Sequence, residues 1–304
     1  MHKVFIDGSA GTTGLRIRKR LAERQDIELM TLPENLRKDE NARRDMLNSA
    51  DVVFLCLPDE AAIRAVKCVE NPLVKIIDAS TAHRTAEGWE YGFPELRGMR
   101  ERIASSKRIA NPGCHASGFI ALVQPLIYAG ILDGGARLSC FSVTGYSGGG
   151  RKMIEDYESR GDLYRSPRQY ALAQRHKHLP EMQIVCGLKT VPLFCPVVAD
   201  FYCGMEVTVP VFGSDIRGGA DAVAELYKAV YGGGVIRYSN DDEDGFMKAD
   251  AYAGRDCMAV SVYGNSERIL LVARYDNLGK GASGAAIQNM NILLGEEETK
   301  GLVL

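Results

Sequence analysis

The chain opens with KVFID, then GSAGTTG, then LRIRKRLAER, which sets an apolar strand, a glycine-spaced turn and a helix end to end. Residues 27–80 repeat that order. IELMTL reads as a second strand and the charged NLRKDENARRDMLNSA as a polar helix. DVVFLCL is a continuous apolar run of the kind buried on both faces of a parallel sheet. DEAAIRAVKCV reads as a third helix and VKIIDAS as a fourth strand. Strand and helix in alternation predict an α/β fold whose N-terminal part is a Rossmann-like, doubly wound sheet.

The glycines at 8, 11 and 14 depart from G-x-G-x-x-G. Their spacing is G-x-x-G-x-x-G, with Ala10 where the middle glycine usually stands. The physics is unchanged, because small residues let backbone N–H groups approach a pyrophosphate at a helix N-terminus, where the dipole favours negative charge. Gly8, Ser9, Gly11, Thr12, Thr13 and Gly14 are therefore the candidate dinucleotide cradle. Beyond the second strand stand Glu34, which suits a ribose 2′-hydroxyl, and Arg37 and Lys38, which suit an added 2′-phosphate. The basic pair leans the expectation to NADP(H), while a solvated helix face is the bland alternative.

Near Gly113 the texture changes, and from residue 137 on strand-like segments dominate. RLSCFSVTGYS, TVPLFCPVVADFYCGMEVTVPVF and ERILLVARYDN carry strand propensity with few intervening helices, predicting an α+β second domain on a mixed or antiparallel sheet. DAVAELYKAVYGG is a helix ended by glycines. GASGAAIQNMNILLG reads as a helix that packs back on the first domain. The expected division is residues 1–113, completed by 282–304, and residues 114–281. NDDEDG and GEEET read as solvated acidic loops.

The 304 residues are 46% apolar and 25% charged, with a net charge of −2, which offers no electrostatic case for nucleic acid or an anionic membrane. No window approaches the roughly 18 apolar residues of a spanning helix. The first residues show neither a basic leader nor an apolar signal core, so the expected location is the cytoplasm. The eight cysteines lack CxxC spacing and make no disulfide framework. Cys56, Cys140 and Cys203 lie in strand-like apolar runs and read as inert small hydrophobes.

Cys114 has a different context, RIANPGCHASGFIALVQPLI. The NPG turn and the apolar run after it put the thiol at a helix N-terminus, where its pKa is lowered towards the thiolate, and Pro125 is expected to end or kink that helix. A passive buried sulfur is the alternative. A partner base is offered by QRHKHLPEM, with His176, His178 and Glu181; zinc ligation and a structural histidine pair are the rival readings. VTGYSGGGRKM joins Ser147 and Arg151 to three glycines, and DASTAHR brings Ser80, Thr81 and Arg84 to the end of the fourth strand, so both are candidate phosphate sites, with an ordinary turn the alternative for each. Asn277, Gly279 and Lys280 precede the last helix in DNLGKG, where glycines allow close backbone approach to a ligand.

Taken together, GSAGTTGLRI, YGFPEL, ANPGCHASG, GYSGGGRK, HKHLPEM and DNLGKGASGAAIQN resemble, in the same order from residue 4 to about 295, the shorter form of the N-acetyl-gamma-glutamyl-phosphate reductase family of arginine biosynthesis. The resemblance implies a semialdehyde dehydrogenase-like architecture and NADPH-dependent reduction of N-acetyl-L-glutamyl 5-phosphate to the 5-semialdehyde and phosphate through a cysteine thioester. It implies Cys114 as nucleophile and His176 as acid/base. His178, Glu181, Ser147, Arg151 and Arg84 resemble substrate-site residues, and Asn277, Gly279 and Lys280 join the cofactor cradle. No metal is implied, and a homo-oligomer, dimer or tetramer, is expected. His115 stands where many relatives have an aromatic residue. Two other functions fit the same motifs: a related aspartyl-phosphate reductase, and a non-catalytic NADP-binding sensor.

Overall fold

The computed structural model describes residues 1–37 and 39–304; Lys38, one of the two basic residues weighed for a ribose phosphate, lies outside the described residues. The chain forms two units. One comprises Met1–Pro112 and Ala282–Leu302, the other Gly113–Gly281 and Val303–Leu304.

In the first unit β1 (His2–Asp7), β2 (Ile27–Met30), β3 (Val52–Leu55), β4 (Lys75–Asp78), β5 (Glu90–Tyr91) and β6 (Arg108–Ala110) pair in parallel in the order β2-β1-β3-β4-β6-β5. The connections carry α1 (Thr12–Leu21), α2 (Glu40–Ser49), α3 (Asp59–Lys67) and α4 (Met99–Ser105). The doubly wound sheet expected from the sequence is the sheet observed. Side chains alternate along β1, with Val4 and Ile6 entering one core and Phe5 the other. All four residues of β3 are buried, which explains its unbroken apolar run. Asp39 caps α2 by accepting a hydrogen bond from the Ala42 N–H at 2.7 Å, so the polar segment starts its helix later than its charge pattern suggests. Between β1 and β3 the strand order reverses, and sheets of this kind leave a ligand crevice at the carboxyl ends of such strands.

The second unit holds a mixed sheet of β7 (Ser139–Gly145), β8 (Arg168–Gln169), β9 (Leu193–Ala199), β10 (Met205–Phe212), β11 (Ile236–Tyr238), β12 (Met258–Gly264) and β13 (Arg268–Tyr275), ordered β11-β12-β13-β10-β7-β9-β8. The pairs β7–β9 and β11–β12 are parallel and the rest antiparallel. Its helices are α5 (Cys114–Tyr128), α6 (Gly150–Ser159), α7 (Gly161–Tyr164), α8 (Leu179–Cys186) and α9 (Gly219–Val230). On β10 the buried Val207, Val209 and Val211 alternate with half-buried or exposed Glu206, Thr208, Pro210 and Phe212. After a one-turn π-type stretch at Gly279–Ser283, α10 (Gly284–Leu294) sends Ala286, Ile287, Met290 and Leu293 into the core of the first unit.

Three local expectations are corrected. Pro125 neither ends nor breaks α5, which continues to Tyr128. A proline cannot donate to the carbonyl four residues back, and the Tyr231 hydroxyl donates to that Ala121 carbonyl instead, at 2.7 Å. The acidic loops are not simply solvated. Asp241 accepts from the buried Arg274 at 2.5 Å, and Glu298 accepts from Gln288 at 2.7 Å. Cys203 lies in the bend between β9 and β10, outside any strand.

Candidate active site

The glycine-spaced turn is shaped by its own neighbours. Gly8 has φ +92°, and a Cβ there would come 2.2 Å from the Cys56 carbonyl oxygen; at Gly14 a Cβ would come 2.6 Å from the Gly8 carbonyl oxygen. Gly11 caps α1 and has room for a Cβ, at 3.7 Å from its nearest neighbour. Thr12 and Thr13 open α1, whose first turn has no acidic residue, so the helix dipole faces the turn unopposed. A cavity of about 500 Å³ lies here, lined by Gly8, Ser9 and Ala10 together with Glu34, Arg18 and Arg37. Its volume and its cradle suit a nucleotide. Arg43 also reaches it but is held by Asp7 at 2.7 Å. Cys56, just past β3, is half-buried, and desolvation pushes its thiol up to about 12, which disfavours the thiolate.

In the second unit Cys114 is the first residue of α5, half-buried, with Gly113 as cap and neither a side-chain cap nor an acidic residue in the first turn. The positive end of the helix dipole favours a thiolate, an effect that the nearby Glu181 carboxylate opposes. The Glu181 carboxylate, buried in the first turn of α8, accepts the Gly113 N–H at 3.1 Å and so fastens the residue just before the thiol. His178 caps α8, buried, with its Nε2 4.0 Å from the same carboxylate. His176, more exposed, accepts the His178 backbone N–H on Nδ1 at 3.2 Å, which leaves its neutral-state proton on Nε2. The rings of His115, His176 and His178 cluster with centroids 4.6–5.7 Å apart. Tyr275 donates to the Cys114 carbonyl and accepts from the Gly118 N–H at 3.0 Å. Gly281 packs here too, since a Cβ on it would lie 3.1 Å from that of Cys114.

The remaining candidates divide. Ser147 is buried and accepts from Asn277 Nδ2 at 3.0 Å, while Asn277 Oδ1 accepts the Gly204 N–H at 2.9 Å, so two residues singled out for different ligands brace each other. Gly279 is demanded by the protein itself, because a Cβ would come 1.9 Å from the Arg255 carbonyl oxygen. Lys280 is buried. Arg151 is turned to solvent and paired with Glu155 one turn on, at 2.8 Å. Arg84, in the first unit, donates to the Asn111 and Ala79 carbonyls at 3.0 and 3.3 Å. Ser80 and Thr81 are corrected as anion-binding candidates, since their hydroxyls and N–H groups serve the carboxylates of Asp78 and Asp59. Among the described residues no group of three or more His, Cys, Asp or Glu side chains is arranged to hold a metal ion.

Comparison with known proteins decides the family. Residues 3–106 match the semialdehyde dehydrogenase NAD binding domain and residues 114–277 the semialdehyde dehydrogenase dimerisation domain. The N-acetyl-gamma-glutamyl-phosphate reductase 2 of Nostoc sp. is 46% identical, covering 99% of both chains. The chain belongs to the N-acetyl-gamma-glutamyl-phosphate reductase family. A second relative of that name, from Chelativorans sp., is 44% identical across 96% of this chain and 98% of its own. Among solved structures, aspartate semialdehyde dehydrogenase II of Vibrio cholerae superposes with a TM-score of 0.73 at 17% identity, covering 97% of this chain and 98% of its own, and shows the shared fold. As a member of this reductase family the chain is an oxidoreductase. Not legible in the sequence were Ser142 and Tyr170, which bond the ring of His115, the residue after Cys114, and Tyr275, which bonds the Cys114 carbonyl. They arrive from β7, from the segment after β8 and from β13, and no local motif announces them.

Proposed function

We propose that this chain reduces N-acetyl-L-glutamyl 5-phosphate to N-acetyl-L-glutamate 5-semialdehyde and phosphate with NADPH, using Cys114 as nucleophile. The observation that carries this reading is the thiol on the first residue of α5, at a helix end also reached by three histidine rings and fastened by Glu181. Thiolate Sγ attacks the acyl carbon, the bond from that carbon to the phosphate oxygen breaks, and phosphate leaves with the electron pair. The first N–H groups of α5 lack intrahelical acceptors and suit the oxyanion that forms. A thioester on Cys114 results. The nicotinamide, when bound, supplies the hydride that reduces it. His176 holds its Nε2 proton towards the acyl oxygen through both tetrahedral stages, and expulsion of Sγ with its electron pair releases the aldehyde.

Gly8, Ser9, Gly11, Thr12, Thr13 and Gly14 would hold the pyrophosphate in this reading, and Arg18 and Arg37, outnumbering Glu34 in the cavity, favour the 2′-phosphate of NADP(H) over NAD. Ser147, Arg151 and Asn277 are the proposed substrate and cofactor contacts of the second unit beyond the thiol, and Arg84 is the one proposed on the first unit. The first unit serves as the nucleotide-binding domain and the second as the catalytic domain. A second copy of the chain docks on the open face of the seven-stranded sheet, where Phe141, Leu193, Phe212 and Leu270 are exposed. Among the described residues no helix is long and apolar enough to cross a membrane, and we place the enzyme in the cytoplasm beside its soluble nucleotide.

The test runs the reaction backwards. Phosphate-dependent reduction of NADP⁺ with N-acetylglutamate 5-semialdehyde is expected, with aspartate semialdehyde at least about 100-fold poorer in kcat/KM. A preference for aspartate semialdehyde would overturn the substrate assignment. His176→Asn is expected to cost more than His178→Asn in kcat, and the opposite order would exchange their roles.

A further inference from the structure

His115, next to the thiol in α5, is 2% exposed. Its Nδ1 lies 2.7 Å from Ser142 Oγ and its Nε2 2.6 Å from Tyr170 Oη. Burial, helped by neighbouring His176, lowers its pKa to about 3, so the ring is neutral at working pH and offers one N–H and one lone pair. Ser142 decides which nitrogen holds the hydrogen. It is fully buried on β7, and the imidazole is its side chain's single partner among the described residues. Were Nδ1 the donor, the serine hydrogen would be buried without an acceptor, a state that native interiors avoid. Ser142 therefore donates to Nδ1, Nε2 carries the hydrogen, and Nε2–H donates to the Tyr170 oxygen.

That direction leaves the Tyr170 hydrogen with no acceptor among the described residues. Its ring stands 6.0 Å, centroid to centroid, from that of His176. Burial, with the Cys114 charge adding, raises the phenol further above its ordinary value, so it stays a donor. We infer that Tyr170 is a substrate-contacting residue whose hydroxyl donates to an oxygen of the acyl group carried by Cys114, aimed by the positioning residues Ser142 and His115. This inference rests on Cys114 being the nucleophile.

Three measurements test it. In Tyr170→Phe, kcat for the acyl phosphate falls about 100-fold, while the rate at which iodoacetamide alkylates Cys114 stays within about twofold. Ser142→Ala frees the imidazole to turn its lone pair towards Tyr170 and shows a similar fall, but costs nothing further in the Tyr170→Phe background; Ser142→Thr restores activity. Nitrogen-15 NMR of labelled histidine reports the Nε2–H tautomer of His115 without any turnover. An Nδ1–H tautomer, additive losses, or a Tyr170→Phe enzyme within twofold of the wild type would each overturn the inference. A wild-type chain that does not turn over the acyl phosphate fails one level lower and removes the functional reading with it.

Discussion

Cys114 and His115 are chain neighbours with opposite electrostatic situations. The thiol meets the positive end of α5, whereas the imidazole one residue on is sealed in and kept neutral. The sealed histidine has a consequence for stability. An unfolded histidine protonates near pH 6.5, whereas in the folded chain His115 does so only near about 3. Its contribution is complete above pH 6.5 and is lost as pH falls towards 3. Between pH 7 and 4.5 this amounts to at most about 3 kcal/mol. Urea unfolding at those two pH values is expected to show a smaller stability loss for His115→Gln than for the wild type, and equal losses would refute the buried neutral state. Cys114, His176, His178 and Glu181 could be picked out of the sequence because a proline-glycine turn and a histidine alternation mark them. The Ser142 and Tyr170 partners of His115 could not, because β7 and the segment after β8 look like any other strand and loop until they are paired with α5.

The strand, turn and helix that open the chain behave as their spacing predicts, but the three glycines are not equivalent. Gly8 and Gly14 are required by close backbone approach within the turn itself, and Gly11 is not. Gly11→Ala is expected to leave the melting temperature unchanged and, because its methyl would crowd only the open side of the cradle, to weaken NADPH binding less than Gly14→Ala does. Gly14→Ala should lose more than about tenfold in affinity, roughly 1.4 kcal/mol or more. Equal effects in isothermal titration would show that the turn does not hold the nucleotide. At this scale the first unit was legible because period and burial agree: β3 is apolar throughout and buried throughout. Pro125 was misread because its remedy lies more than a hundred residues away, in Tyr231, which caps the carbonyl that proline leaves open. The acidic loops were misread for a similar reason, since only the folded β13 brings Arg274 to Asp241.

For the molecule as a whole, the seven-stranded sheet presents a face that its own chain leaves open, and an apolar surface of that kind is used for association. Light scattering on a sizing column is expected to give a dimer or larger assembly, and Phe141→Asp combined with Leu193→Asp to give monomer; an unchanged mass would move the interface elsewhere. The two units divide after Pro112 and after Gly281, with Val303 and Leu304 in the second, and α10 packs small and apolar side chains into the first core. The chemistry assigned to the molecule depends most on one covalent state. Intact-mass and peptide mass spectrometry of the enzyme mixed with N-acetyl-L-glutamyl 5-phosphate in the absence of NADPH reads it directly. One N-acetylglutamyl group per chain is expected, on Cys114, discharged when NADPH is added and absent in Cys114→Ser. Aldehyde formation by Cys114→Ser at the wild-type rate, or an acyl group on any other residue, would contradict it.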